Sequence, residues 1–182
     1  ITEELVSSIF KEVKGIDIKL PLMKMKYDDA ICYYGSDKPD LRFDMKIEDI
    51  SEVFKDTEFT VFKNVLVSNG VINCLVVKNE ADKYSRKEID KLTEYVKTYK
   101  VSGLAWLKYQ ENEFSGSIRK VVSDSELASL KEKLNIEEND LILIVADSYN
   151  VTKTALGALR CKLGRDLNLI HENDYKLLWV VD

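Results

Sequence analysis

Between Tyr34 and Arg42 the sequence reads YGSDKPDLR, and it gathers four charged side chains: Asp37, Lys38, Asp40 and Arg42. Two cations this close could hold a phosphate or a carboxylate, Arg42 through its planar fork and Lys38 as a point charge. Asp37 and Asp40 could orient those cations or ligate Mg²⁺. The same residues also suit a plain turn, because an aspartate ahead of Lys38-Pro39 bonds its own backbone and starts one. On residue chemistry alone the turn is the preferred reading and ligand binding the alternative.

Three other clusters could do chemistry. SRKEIDKLTEYVKTYK, from Ser85 to Lys100, mixes cations with acids. It could offer a face to nucleic acid. The interspersed acids favour a solvated helix surface instead, with ion pairs at spacings of three and four worth about 0.3–0.5 kcal/mol each. Tyr95, Tyr99, Trp106 and Tyr109 lie near lysines and could stack unpaired bases. They alternate with aliphatic residues, which assigns them to a core. In LGALRCKLG, Arg160 and Lys162 could contact phosphate. Arg160 follows Leu159, so it is expected off the leucine stripe, facing solvent or another domain.

Several site classes are excluded. Phosphate loops, GxGxxG, HExxH and GxSxG are all absent from the sequence. A single histidine, His171, rules out a histidine-rich metal site, and its polar neighbours LIHENDYK place it on the surface. Cys32, Cys74 and Cys161 are far apart and form no CxxC pair, so reduced thiols in a cytoplasmic protein are expected. The formal net charge of −5 makes the whole chain no magnet for nucleic acid. No apolar run is long enough to span a bilayer, and no signal peptide is expected.

The elements that must position these residues follow from periodicity. Leu5, Val6, Ile9, Phe10 and Val13 mark an amphipathic helix, with Gly15 placed to end it. Tyr27 to Tyr34 reads as a short helix with Asp28 as N-cap, Ala30, Ile31 and Tyr34 inward, and Gly35 as its stop. Residues 46–55 suggest another short helix carrying Ile47, Ile50 and Phe54. FTVFKNVLV and VINCLVV are rich in β-branched and aromatic residues, and Asn69-Gly70 between them predicts a type I′ hairpin.

Ser85 and Glu88 match a capping box opening a helix with Ile89, Leu92, Val96 and Tyr99 inside. LAWLKYQ predicts a strand, with a turn at 112–116 and SIRKVV as its partner. A helix from Asp124 follows, with Leu127, Leu130 and Leu134 inward, and then the strand LILIVA. These elements predict an α+β class: a two-layer domain with an antiparallel sheet and helices on one face. Residues 151–167 predict a longer helix with Leu156, Leu159, Leu163 and Leu167 in register. Ala155, Gly157 and Ala158 there allow close approach. LLWVVD reads as a strand buried on both faces. The chain opens in helix interior and ends in such a strand, so its outer parts are expected to be remnants of a larger fold.

Taken together these segments resemble one family. YDDAICYYGSDKPDLRF is similar to the stretch of bacterial-type aspartyl-tRNA synthetases that follows class II motif 2. SRKEIDKLTEYVKTYKVSGLAWLK resembles the heart of their GAD insertion domain, which is DCoH-like. DLILIVADSYNVTKTALGALRCKLGRDLNLI resembles the return into the catalytic domain, and LLWVVD a strand before the motif 3 region. The resemblance covers essentially the whole chain. It implies a division into a catalytic-domain flank at 1–45, the GAD domain at 46–147 and a returning flank at 148–182.

For the parent enzyme the resemblance implies activation of aspartate with ATP and Mg²⁺, then transfer to the 3′ end of tRNA-Asp, by a cytoplasmic homodimer. DNA and membranes are not expected partners. The anticodon-binding domain, motif 1, the motif 2 arginine and the motif 3 segment have no counterpart in positions 1–182. The chain alone is therefore expected to be inactive and monomeric, with no catalytic residue, metal or bound cofactor of its own. Asp37, Lys38, Asp40 and Arg42 are the candidates nearest the catalytic fold, with a structural role at the junction preferred over substrate contact. Two alternatives stand beside this. One is a GAD-containing subunit of a tRNA-dependent amidotransferase, which YGSDKPDLR and LLWVVD oppose. The other is a non-enzymatic α+β interaction module.

Overall fold

A computed structural model describes residues 1–171 and 173–182. The chain runs through α1 (Thr2–Lys14), β1 (Met23–Lys26), α2 (Tyr27–Tyr34), β2 (Glu48–Asp49), α3 (Thr60–Val67) and β3 (Val71–Val77). It continues with α4 (Arg86–Lys97), β4 (Ala105–Gln110), β5 (Glu113–Gly116), α5 (Asp124–Leu134), β6 (Asp140–Asp147), α6 (Tyr149–Asp166) and β7 (Leu178–Val181). A five-stranded antiparallel sheet is ordered β2-β3-β6-β4-β5, and β1 pairs in parallel with β7.

The α+β class and the antiparallel sheet are as expected, but the helices cover both faces of the sheet rather than one. On one face Leu75, Val77, Leu141, Leu143 and Val145 pack against α4 and α6 through Ile89, Leu92, Leu156, Leu159 and Leu163. On the other, Ile72, Cys74, Ile142 and Ile144 pack against Phe54, Phe62, Leu127 and Leu130. The reason lies in β6: consecutive strand residues point to opposite sides, so the unbroken apolar run 141–145 needs cover on both.

The second layer comes partly from a segment with strand-like composition. Residues 60–67 form α3, not the first arm of a hairpin. Phe59, Phe62 and Leu66 recur at helical spacing, and Phe62 is buried with its ring edge-on to Phe54 and Phe59. Asn69 does adopt a positive φ of 57°. It does so to cap the helix: its N–H donates to the Leu66 carbonyl at 3.0 Å and that of Gly70 to Val65 at 2.8 Å, the Schellman pattern. Tertiary burial outweighs a β-propensity spread of about 1 kcal/mol.

The β4–β5 hairpin also begins earlier than its turn residues suggest. Glu111 and Asn112 both take positive φ, as a two-residue type I′ loop requires, so Glu113–Gly116 pairs with 107–110. SIRKVV is consequently not a strand; it turns Ile118 and Val122 into the core below α5. Residues 46–55 divide into the short β2 and a 3₁₀ turn at Ser51–Phe54, with Ile47, Ile50 and Phe54 buried as expected. The capping box of Ser85 and Glu88 is present on α4, and Ser123 with Glu126 forms a second on α5. Helix α2 starts at Tyr27 without a side-chain cap; Asp28 sits in its first turn, where it favours the helix dipole.

The outer elements are less enclosed than their patterns imply. On α1, Val6 and Phe10 turn inward, whereas Leu5, Ile9 and Val13 are exposed. Strand β7 alternates half-buried Leu178 and Val180 with exposed Trp179 and Val181, so it is not covered on both faces here.

Candidate functional site

The candidate residues lie on the loop that leaves α2. Gly35 takes a left-handed conformation (φ 67°) and its N–H bonds the Ile31 carbonyl, which ends the helix and turns the chain. The Ser36 hydroxyl accepts from the Lys38 N–H at 3.0 Å, and Pro39 is buried beneath the turn. Asp40 then closes on Arg42. Its carboxylate accepts from the Arg42 backbone N–H at 3.1 Å, from Nε at 2.9 Å and from Nη2 at 2.7 Å. The side-chain bonds from Arg42 hold the Asp40 carboxyl below the usual carboxylate range, and the same bonds raise Arg42.

Asp40 engages one edge of the Arg42 fork, through Nε and Nη2, and the Arg42 side chain stays partly exposed. Both Asp40 oxygens accept from Arg42. Asp37 and Lys38 are exposed and belong to no ion pair among the described residues. No group of three His, Cys, Asp or Glu side chains is placed to hold a metal ion among the described residues. A shallow groove of about 320 Å³ runs between this loop and Asp174–Leu177, lined by charges of both signs. The four candidates share one turn, in which Asp40 and Arg42 pair with each other while the side chains of Asp37 and Lys38 are exposed.

The other clusters resolve as follows. Arg160 does not face solvent: it is fully buried. Its Nε donates to the Met45 carbonyl and its Nη2 to the Phe43 carbonyl at 3.0 Å, while its guanidinium lies over the rings of Phe43 and Tyr34. Burial lowers its pKa, as a desolvated cation requires. Lys162 pairs with Asp166 at 2.8 Å on the helix surface. Tyr95, Tyr99 and Trp106 pack partly buried against the α4–α6 core, and the Tyr95 and Tyr99 hydroxyls share a hydrogen bond. Burial pushes the Tyr95 phenol up to about 12. His171 is exposed, and all three cysteines are free thiols, with Cys74 buried and its thiol pushed up by desolvation.

The profile of the GAD domain matches residues 62–156, more than half of the chain. The chain belongs to the GAD domain family. Similarity extends beyond the GAD domain in both directions. All 182 residues align at 48% identity with the aspartate–tRNA ligase of Oceanobacillus iheyensis, of which they cover 31%. They align at 48% with that of Streptococcus agalactiae serotype Ia, covering 30%. A third relative is the aspartate–tRNA(Asp/Asn) ligase of a Geobacillus strain, at 47% identity and 31% coverage. The chain thus spans about a third of the length of these relatives. The GAD match ends inside α6, whose leucines share the core of the sheet.

Polar residues that sequence reasoning missed lie around the GAD sheet. Asp140, buried at the start of β6, accepts from Lys78 Nζ at 2.7 Å and from the N–H groups of Asn79 and Glu137 at 2.9 and 2.8 Å, pinning two turns. Lys153 is buried on α6, and its Nζ donates to the Cys32 carbonyl at 2.7 Å. A signal for Arg160 and Lys153 did exist. Gly157 and Gly164 lie seven residues apart and mark a second buried face of α6, with Lys153 and Arg160 in register.

Proposed function

We propose that this chain is the insertion-domain segment of an aspartate–tRNA ligase. The observation that carries it is identity of 47–48% over all 182 residues, not only over the GAD match. An amidotransferase subunit would share the GAD domain but not YGSDKPDLR or LLWVVD. In this reading residues 1–45 and 148–182 are flanks of the catalytic domain, and 46–147 form the inserted domain. The parallel pairing of Met23–Lys26 with Leu178–Val181 supports it, since an insertion must leave and re-enter its host at neighbouring points. The exposed Leu5, Ile9, Val13 and Trp179 then face the rest of the host.

The parent enzyme activates aspartate with ATP and Mg²⁺ and transfers it to the 3′ end of tRNA-Asp, in the cytoplasm, as a homodimer. The chemical work is stabilisation of charge at the α-phosphate by arginines and metal ions in a preorganised site. Those groups lie outside positions 1–182. Asp37, Lys38, Asp40 and Arg42 act here as the fixed turn through which the chain leaves the catalytic fold. Aspartate-dependent ATP–pyrophosphate exchange tests both parts. Full-length parent should turn over, while the 182-residue chain, a monomer by gel filtration, should not. Turnover by the chain alone, or none by the parent, would overturn the reading.

A further inference from the structure

Helix α6 is buried on two sides. One stripe, Leu156, Leu159 and Leu163, enters the core of the sheet. The other, Lys153, Gly157, Arg160 and Gly164, faces residues 32–45. Lys153 bonds the Cys32 carbonyl. Gly157 meets the backbone of Tyr34 and Gly35, and Gly164 makes room for the Phe43 ring, which a Cβ would approach to 2.6 Å. Arg160 holds the carbonyls of Phe43 and Met45.

Burying a guanidinium is costly unless its donors are satisfied. Nε and Nη2 of Arg160 are met by two carbonyls of one loop and the guanidinium lies over two rings, while Nη1 is buried without a hydrogen-bond partner and no carboxylate bonds the group among the described residues. Such an arrangement tolerates little displacement, because a shift of the loop strands a desolvated charge. The loop's other side-chain bonds, Lys38 to Ser36 and Arg42 to Asp40, are internal and shape it without anchoring it.

We propose that α6 sets the conformation and placement of the 36–46 loop, with Arg160 as the positioning residue. Loop and sheet then form one cooperative unit, and any displacement of the sheet is carried to the YGSDKPDLR turn. This holds whether or not the ligase reading stands.

The test is site-resolved amide hydrogen exchange on the 182-residue chain, with the Ile47 N–H, bonded to the Tyr33 carbonyl, and the Arg42 N–H as loop reporters. In Arg160→Lys and Arg160→Met, both reporters should exchange at least about tenfold faster, while β3 and β6 amides stay within about twofold of wild type. Arg160→Lys keeps the charge and loses the fork, so it should not rescue. Unchanged reporters, or equal acceleration in the sheet, would overturn the proposal. If both variants fail to fold, wild type decides. Its Ile47 amide should open with the same denaturant dependence as β6; opening in a separate, smaller unit refutes the coupling.

Discussion

Gly157 of α6 and Gly35 at the end of α2 meet backbone to backbone. A Cβ on Gly157 would lie 2.8 Å from the Gly35 carbonyl oxygen, and one on Gly35 would lie 2.9 Å from the Gly157 Cα. Alanine at 157 gains up to about 1 kcal/mol of helix propensity. The clash is with main chain on a fixed turn, and overpacking of this kind costs about 1–3 kcal/mol. Gly157→Ala should therefore lower the urea midpoint. A midpoint at or above wild type would show that the two helices can separate without loss.

The Asp40–Arg42 pair gives a pH signature. Its folded-state pKa is depressed, chiefly by the side-chain bond from Arg42. A depressed carboxyl stabilises the fold above its unfolded value of about 3.9, and that contribution is lost as pH falls through the folded value. Wild type should be more stable than Asp40→Asn at neutral pH, with the two converging in acid below about pH 4. Paired urea titrations from pH 2 to 7 measure this, and a constant difference throughout would disprove it.

Asn69 separates two readings of one dipeptide. As the left-handed cap of α3, it should tolerate Asn69→Gly, while Asn69→Ala should cost about 1–2 kcal/mol. Thermal unfolding of both variants tests the order; equal stability of the two would remove Asn69 from the cap.

Asp140 collects three donors at the start of β6. Asp140→Ala leaves the Asn79 and Glu137 N–H groups without an acceptor, and bonds to a charged group are worth about 1.5–3 kcal/mol each. A loss of at least about 2 kcal/mol is expected in urea unfolding, with Asp140→Asn intermediate. A loss below about 0.5 kcal/mol would mean that the two turns hold themselves.

In the full-length parent, Lys38→Ala and Arg42→Ala separate a junction role from substrate contact. A junction role predicts lowered stability for Arg42→Ala, little change for exposed Lys38→Ala, and unchanged KM for aspartate and ATP in both. A raised KM at unchanged stability would make the loop part of the substrate site.

Local patterns were legible where a single face or cap was at stake. The Ser85–Glu88 capping box, the leucines of α5 and α6 and the buried run of β6 all stand where their spacing put them. The specific wording of YGSDKPDLR and ALGALRCKLG carried the family. These depend on neighbours in the chain, and neighbours in the chain are what a sequence states. Residues 60–67 became a helix, helices closed both faces of the sheet, and Arg160 turned inward to two carbonyls more than a hundred residues away. Each of those outcomes turns on what lies across the core. Burial and the pairing of desolvated polar groups outweigh propensities of about 1 kcal/mol, and both are set by partners that only folding brings together.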